Sequence, residues 1–315
     1  MFVPMIVLTD NLQYGKDIVG IKGNFKPSVS AELDPKLHPL VKEIFGLKPV
    51  SRTSWMNESR WTYAFLVKRA LISNYDLFIH LLRKKIYLPD RSLCLIGSGE
   101  GFHGQKGRPW EALAGNLHLV IHLTPHQDLE HLGACFSVLN AVSIVQALDE
   151  FTEIERQASI KWVNDVYIND AKVAGFLVHT SSIDEFVTAA ILGIGLNVEK
   201  APHFINTPAV PRMAALSSFA QDKKIISQGR VLKKLLSKIE KNYALLLSGH
   251  YTQLLEFYRK RSMVIGRNVK IIQDSLEEEH RTISEGIVQD IGDDLELYIK
   301  GKKKAVSQGR IIMEG

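Results

Sequence analysis

Apolar positions along the chain alternate between helix-like and strand-like spacing, and that alternation predicts the elements. Val3 to Leu8 reads as a first strand, and Pro27 to Pro49 is rich in proline and polar residues with one helical pattern near Leu40–Phe45. Tyr63, Leu66, Val67 and Ala70 recur at helix spacing, as do Leu77, Leu81 and Leu82, so residues 59–83 are expected as helix in two pieces. Ser92 to Ile96 is a short strand, Gly97 to Gly107 a glycine-rich loop, and Leu117 to Leu123 an alternating strand. Gly133 to Phe151 is a long apolar helix whose small residues (Ala134, Ser137, Ala141, Ser143) suit packing on a sheet. Ser159 to Ile168 and Lys172 to His179 are expected to pair as a hairpin turned by Asn169-Asp170, since both residues tolerate unusual backbone angles. Phe186 to Leu196 is the next strand. Arg230 to Leu247 is an amphipathic helix with Leu232, Leu235, Leu236, Ile239, Tyr243 and Leu246 on one side, and Tyr251 to Arg261 continues as helix. After Gly266 the period becomes two (Val269, Ile271; Gly286-Ile287-Val288; Leu295, Leu297, Ile299), marking a boundary near residue 264 and a small β-barrel-like cap.

Length and composition narrow the class. A chain of 315 residues suits a main domain plus a smaller one, and 45% hydrophobic with 23% charged residues describes an ordinary globular protein. The net charge of +5 is mild and comes partly from Lys300, Lys302, Lys303, Lys304 and Arg310, a patch as suited to an acidic protein partner as to nucleic acid. No helical pattern places basic residues for a DNA groove, so no DNA binding is expected. Two cysteines, Cys94 and Cys135, fit neither a disulfide framework nor a metal motif and point to a reducing compartment, the cytoplasm. The apolar start lacks a basic leader region, and no apolar run is long enough for a bilayer, so no membrane role is expected.

Three constellations carry candidate chemistry. The first is Lys161-Trp162-Val163-Asn164-Asp165, read as an apolar strand with a lysine, an asparagine and an aspartate set into it. Such groups need partners when buried. A lysine there can neutralise a carboxylate and the phosphate it attacks, Asp165 can recruit magnesium, and Asn164 can orient a polar ligand group. The second is the loop Gly97 to Trp110, whose glycines let backbone N–H groups approach an anion and whose Lys106 and Arg108 add charge; it lacks a P-loop's Gly-Lys-Ser/Thr ending. The third is Gly193-Ile194-Gly195-Leu196-Asn197, where two glycines at the end of an apolar strand let a ligand lie flat; its blander alternative is a β-bulge. His118 and His122, alternating on a strand with His126 beyond, are a weaker metal candidate and are more simply surface histidines.

In this order and spacing the segments resemble the biotin protein ligase family, part of the biotin/lipoate ligase superfamily. Lys161 to Asp165 is similar to its Lys-Trp-Pro-Asn-Asp signature, with Val163 for proline. Lys172-Val173-Ala174-Gly175-Phe176-Leu177 is similar to the Lys-Leu-Ala-Gly-Ile-Leu strand that follows. Gly193 to Val198 resembles Gly-Ile-Gly-Ile-Asn-Val, and Gly104 to Trp110 with Gly115-Asn116-Leu117 resembles the Gly-Arg-Gly-Arg…Trp…Gly-Asn-Leu ligand loop. Gly266-Arg267-Asn268-Val269 and Gly286 to Gly292 resemble the family's small C-terminal domain. The resemblance covers about residues 52–315.

It implies an α+β fold: a mixed β-sheet backed by helices, of the class II synthetase-like biotin/lipoate ligase kind, with a C-terminal SH3-like β-barrel. Residues 1–50 would be an extension of unassigned role, 51–262 the catalytic domain and 263–315 the barrel. It implies an ATP- and magnesium-dependent ligase that forms biotinyl-AMP and passes the acyl group to a lysine of a biotin-carrier-type protein, with a homodimer left open. Lys161 would hold the carboxylate and stabilise the adenylate, Arg108 touch phosphate, and Trp110 pack by the adenine. Asn197 would bind nucleotide, Gly193 and Gly195 floor the acid pocket, and Asp165 and Asn164 support magnesium or phosphates. His103, Gly104, Gln105, Gly107, Lys172 and Gly175 would complete the binding site. His103 and Gln105 stand where the family places arginines, and a neutral histidine and a glutamine hold an anion less well. The family's Ser-Thr-Asn segment before the first helix, which reads the ureido head of biotin, has as its stand-ins Ser59-Arg60-Trp61 or Thr53-Ser54, neither of which has the expected asparagine in place. The alternatives are a ligase of the same fold for lipoate, octanoate or another acid, and a non-catalytic ligand- or protein-binding member.

Overall fold

The structure, a computed structural model, describes residues 4–20, 25–28, 33–55, 59–184, 186–203, 206–223, 225–274 and 281–314. In chain order the elements are β1 (Met5–Thr9), α1 (Leu12–Val19), β2 (Lys26–Pro27), α2 (His38–Phe45), β3 (Ser51–Trp55), β4 (Tyr63–Ala70), α3 (Asn74–Arg83), β5 (Ser92–Gly99), β6 (Leu117–Leu123), β7 (Gln127–Asp128), α4 (Cys135–Leu148), β8 (Ala158–Lys161), β9 (Asp165–Ile168), β10 (Ala171–Ile183), β11 (Phe186–Leu196), α5 (Gln228–Leu247) and α6 (Tyr251–Lys260), followed by β12 (Asn268–Ile272), β13 (Thr282–Ile291), β14 (Leu297–Ile299) and β15 (Arg310–Met313). The first strands form one mixed sheet in the order β2-β3-β1-β4-β5-β6-β11-β10-β9-β8, with β7 on β11; the last four form an antiparallel sheet in the order β14-β13-β12-β15. The expected α+β architecture with a small C-terminal β unit is thus present, and among the described residues no pairing of β14 with β15 closes that unit into a barrel.

Residues before 51 help to build the main sheet. β1 runs parallel to β4 and antiparallel to β3, while α1 packs under the sheet, starting at an Asn11 cap whose side chain accepts from the Tyr14 N–H and ending at Gly20 in the left-handed region. The predicted first strand falls on Met5–Thr9; Val3 lies outside the described residues.

The segment read as a helix at Tyr63–Ala70 is a strand. It lies parallel to β1 on one side and β5 on the other, and Ala64 to Val67 are buried, so both of its faces are covered. A strand with two covered faces needs no polar alternation, and a short apolar run of that kind is indistinguishable from a buried helix by spacing alone. The second piece, α3, is helical as expected and is capped by Ser73.

The expected long strand Ser159–Ile168 is two strands, β8 and β9, folded back at Trp162–Asn164 and paired with each other, and β9 also pairs with β10. The Trp162 indole N–H donates to the Leu295 carbonyl at 2.6 Å, so the turn is anchored on the C-terminal unit. The Asn169-Asp170 turn joins β9 to β10 as anticipated, with Asn169 at φ 54°.

α4 is buried almost throughout, lying between the sheet and α5. Its small residues let α5 approach: Asn242 of α5 donates to Ser143 Oγ at 2.9 Å and Gln146 Oε1 at 3.0 Å. This leaves one sheet face sealed in apolar core and the opposite face, around β6 and β8–β11, open to form a cavity.

Candidate active site

Strand alternation sorts the side chains between those two faces. Ile160, Val166, Ala174, Ile194 and Leu196 point into the core against α4 and α5. Their neighbours Lys161, Asp165, Gly175, Gly195 and His118 therefore share the other face, and they fall in one row. Lys161 is paired with Asp165, Asp165 with Gly175, Gly175 with Gly195, and Gly195 with His118. At a strand spacing of about 4.8 Å, this row spans roughly 19 Å. It runs from a buried ammonium, across two residues without side chains, to an imidazole. All five line a cavity of about 520 Å³, a size typical of small-molecule sites.

Aromatic rings roof the glycines. A Cβ on Gly195 would lie 2.5 Å from Trp110 Cζ2, and one on Gly193 would lie 2.6 Å from Tyr75 Cδ2. Only glycine allows those rings to sit on the backbone. The Trp110 indole N–H donates to His118 Nδ1 at 3.3 Å, and His118 Nε2 faces the Leu113 carbonyl at 3.0 Å. That pair of partners requires a neutral ring protonated on Nε2, in accord with burial, which pushes the His118 pKa down to about 4. His118 and His122 are buried rather than at the surface, because both faces of β6 are covered, and the Nδ1 of His122 is held by the Pro89 carbonyl.

The cations of the cavity are held unequally. Lys161 donates to the Ala209 carbonyl and stands over the Tyr167 ring, its Nζ 5.4 Å from the centroid; burial pushes its pKa down to about 8. Lys172 is ion-paired to Asp165 at 2.6 Å, and Arg108 is ion-paired to Asp274 of the C-terminal unit. No group of three or more carboxylate, imidazole or thiol side chains able to hold a metal occurs among the described residues. Asp165, the residue expected at a metal, is engaged by Lys172, and no chemical step is assigned to a metal there.

The ligand loop is a closed strap. The Gly104 N–H donates to the Arg108 carbonyl at 2.7 Å, and the Trp110 N–H donates to the Phe102 carbonyl at 2.9 Å. His103 faces an acceptor with each ring nitrogen, the Gly104 carbonyl at 3.0 Å and Asp76 Oδ2 at 2.8 Å. Both contacts raise its pKa, the carbonyl most. His103 is therefore biased toward the imidazolium, unlike the neutral group expected from sequence, with its charge directed to α3.

Of the residues expected at the site, Lys161, His103, Gly104, Gln105, Arg108, Trp110, Asn164, Asp165, Lys172, Gly175, Gly193 and Gly195 line the cavity; Ser59, Gly107 and Asn197 do not. Gly107 serves the loop turn at φ 77°. Asn197 is fully buried with its amide nitrogen unpartnered among the described residues, and its oxygen faces Asn116 at 3.5 Å. Asn164 donates to the Phe176 carbonyl at 2.8 Å, bracing the turn.

Ser59 is displaced because Tyr63–Ala70 is extended. Eight residues at about 3.3 Å each carry the chain roughly 26 Å across the sheet, and Ser59 is left at the far end, beside Arg60, whose N–H bonds Glu240 of α5. The cavity wall is instead built by Ser73, Asn74 and Tyr75 at the start of α3. A Ser-Asn pair opening the first helix is visible in the sequence once residues 63–70 are read as strand. Arg310, also missed, reaches the cavity from β15.

The fold and the site together define a cation-lined pocket on one face of a mixed sheet. Residues 87–197, about a third of the chain, match the Biotin/lipoate A/B protein ligase family. It is 27% identical over 183 residues to the bifunctional ligase/repressor BirA of Bacillus subtilis, covering 58% of this chain and 55% of the relative. To the biotin–[acetyl-CoA-carboxylase] ligase of Paracoccus denitrificans it is 36% identical over 99 residues, covering 31% of this chain and 41% of the relative. The chain thus spans little more than half the length of the Bacillus relative. Among solved structures, the biotin protein ligase of Aquifex aeolicus in complex with biotin and ATP superposes with a TM-score of 0.59 at 22% identity, over 80% of this chain and 98% of that one, which shows the shared fold. No helix among the described residues is long and apolar enough to cross a membrane.

Proposed function

We propose that this chain is a biotin–protein ligase: it joins biotin to ATP, giving biotinyl-AMP and pyrophosphate, and then acylates a lysine of a biotin-carrier-type protein. The observation that carries this reading is the row from Lys161 across Gly175 and Gly195, a buried cation at the end of a strip of backbone on which Trp110 lies. A carboxylate and a phosphate repel each other as they approach, and a preorganised ammonium shared between them removes that barrier without waiting for solvent to reorganise. A carboxylate oxygen attacks the α-phosphorus, pyrophosphate leaves, and Lys161 holds the charge that develops between them. In the second step the acceptor amine attacks the acyl carbon and AMP leaves. Trp110 offers its ring to the adenine. Magnesium, in this reading, would come with the nucleotide's phosphates and help neutralise them, and no step is routed through it.

Asn74 favours biotin over lipoate or octanoate. Both of its N–H groups are spent on the carbonyls of Cys94 at 3.0 Å and His118 at 3.2 Å. That leaves the side-chain oxygen, an acceptor, for the ligand. A ureido ring brings N–H donors to meet it; a dithiolane or an alkyl chain brings none and would leave the oxygen unpaired.

The test is pyrophosphate release with ATP and magnesium in the presence of biotin, lipoate, octanoate or no acid. Release with biotin alone supports the reading. Release with another acid keeps the mechanism and reassigns the pocket. Silence with every acid rejects catalysis and leaves a binding protein.

A further inference from the structure

The C-terminal unit delivers a cation into the cavity that the loop resemblance does not account for. Arg310 opens β15 and pairs with Ile272 at the end of β12, two residues before Asp274. Gly309, preceding it, has φ 138°, and a Cβ there would lie 2.8 Å from both Ile271 Cγ2 and the Ile272 carbonyl oxygen, so the turn that aims Arg310 requires glycine. Gly309, Arg310 and Ile311 all line the cavity, although they lie far from the other lining residues in sequence.

Four basic side chains surround that space: Arg108, Lys161, Lys172 and Arg310. Two are neutralised in ion pairs, Lys172 by Asp165 and Arg108 by Asp274. Lys161 and Arg310 form no ion pair among the described residues. The remaining lining carboxylate, Glu111, accepts from the His203 N–H at 2.7 Å at the rim. Positive charge is therefore left over, divided between the floor and the C-terminal strand. Arg310 is half-buried, and burial and the charge of Arg108 both disfavour its protonated form, while its own charge depresses Lys161. Like charges held this close are relieved by an anion carrying more than one charge. The strap that should supply arginines has His103, whose Nε2 is taken up by Asp76 at 2.8 Å, and Gln105, which carries no charge.

We propose that Arg310 is a phosphate-binding residue of the nucleotide site, supplying from the C-terminal unit the guanidinium that the strap lacks at positions 103 and 105. The inference rests on the nucleotide-using reading given above. A planar guanidinium suits a polyphosphate, because it can give two parallel hydrogen bonds to one phosphate. The role also couples the C-terminal unit to nucleotide binding.

Equilibrium binding to the full chain, by calorimetry and without acid, tests it with ATP and with adenosine as probes. Arg310→Ala is expected to weaken ATP at least tenfold and leave adenosine unchanged, with Arg310→Lys recovering part of the loss. ATP affinity unchanged in Arg310→Ala overturns the inference, as does an equal loss for adenosine, which would mean a distorted pocket rather than a lost phosphate contact. Failure of the unaltered chain to bind ATP overturns both this inference and the ligase reading. ATP binding that depends on Arg310, without pyrophosphate release for any acid, overturns the ligase reading alone.

Discussion

Trp110 rests on Gly195 so closely that a single added carbon would come within 2.5 Å of its indole ring. The ring and the glycine act as one surface: the strap that carries Trp110 closes onto β11 because β11 has no side chain there. Gly195→Ala should push the indole off the strand and narrow the floor. Nucleotide and acid affinities are expected to fall about tenfold, or about 1.4 kcal/mol, with a shift in tryptophan emission and little change in the unfolding midpoint. Wild-type affinity and emission would show that the contact does not shape the site.

The buried ammonium of Lys161, assigned a catalytic role in the proposed function, also bears on stability. Its pKa falls from 10.5 in the unfolded chain to about 8 in the fold, with burial as the largest cause. Between those values the unfolded chain binds more protons than the native one, so stability rises as pH increases from 8 to 10.5. Below pH 8 the buried charge costs its full amount, about 3 kcal/mol. Lys161→Met should abolish that slope, raise the unfolding midpoint at pH 7, and reduce pyrophosphate release by about a hundredfold or more. Thermal unfolding at pH 7 and pH 9.5 compares the two proteins; an unchanged pH slope in the variant would place the titration elsewhere.

Asn74→Ala separates the candidate acids. It removes two hydrogen bonds to buried carbonyls, at a stability cost of about 1–3 kcal/mol, together with the oxygen assigned to the ureido head. Biotin affinity is expected to fall at least tenfold by calorimetry, and any weak binding of octanoate should be unaffected. An equal loss for both acids would reduce Asn74 to a structural role.

Gln105→Arg would place a guanidinium in the strap that bounds the cavity. Release of the adenylate, followed after rapid dilution, is expected to slow about tenfold, because a charge-assisted hydrogen bond replaces a neutral one. An unchanged release rate would mean that position 105 does not face the phosphate.

Where the sequence was misleading, the fault lay in separating buried strand from buried helix. Leu66 and Val67 lie on opposite faces of β4, both buried, and nothing in their spacing reveals that β1 and β5 flank them. That one reassignment moves the wall-forming pair from Ser59 to Ser73 and Asn74. His103 shows a second limit, since its pKa is raised first by the Gly104 carbonyl and further by Asp76, which α3 brings within 2.8 Å.

Local chemistry was set by the sequence alone. A lysine, an asparagine and an aspartate within five residues, glycines two residues apart on an apolar strand, and an Asn-Asp turn all act over a few residues, and strand alternation alone puts Lys161 and Ile160 on opposite faces. Tertiary structure decided which of these groups meet. The row from Lys161 to His118 exists only through the registers of β8, β9, β10, β11 and β6, and Arg310 joins it through the packing of a separate sheet. Register and docking are settled by burial of apolar faces between distant segments. The spacing of residues along one strand carries no record of its neighbours.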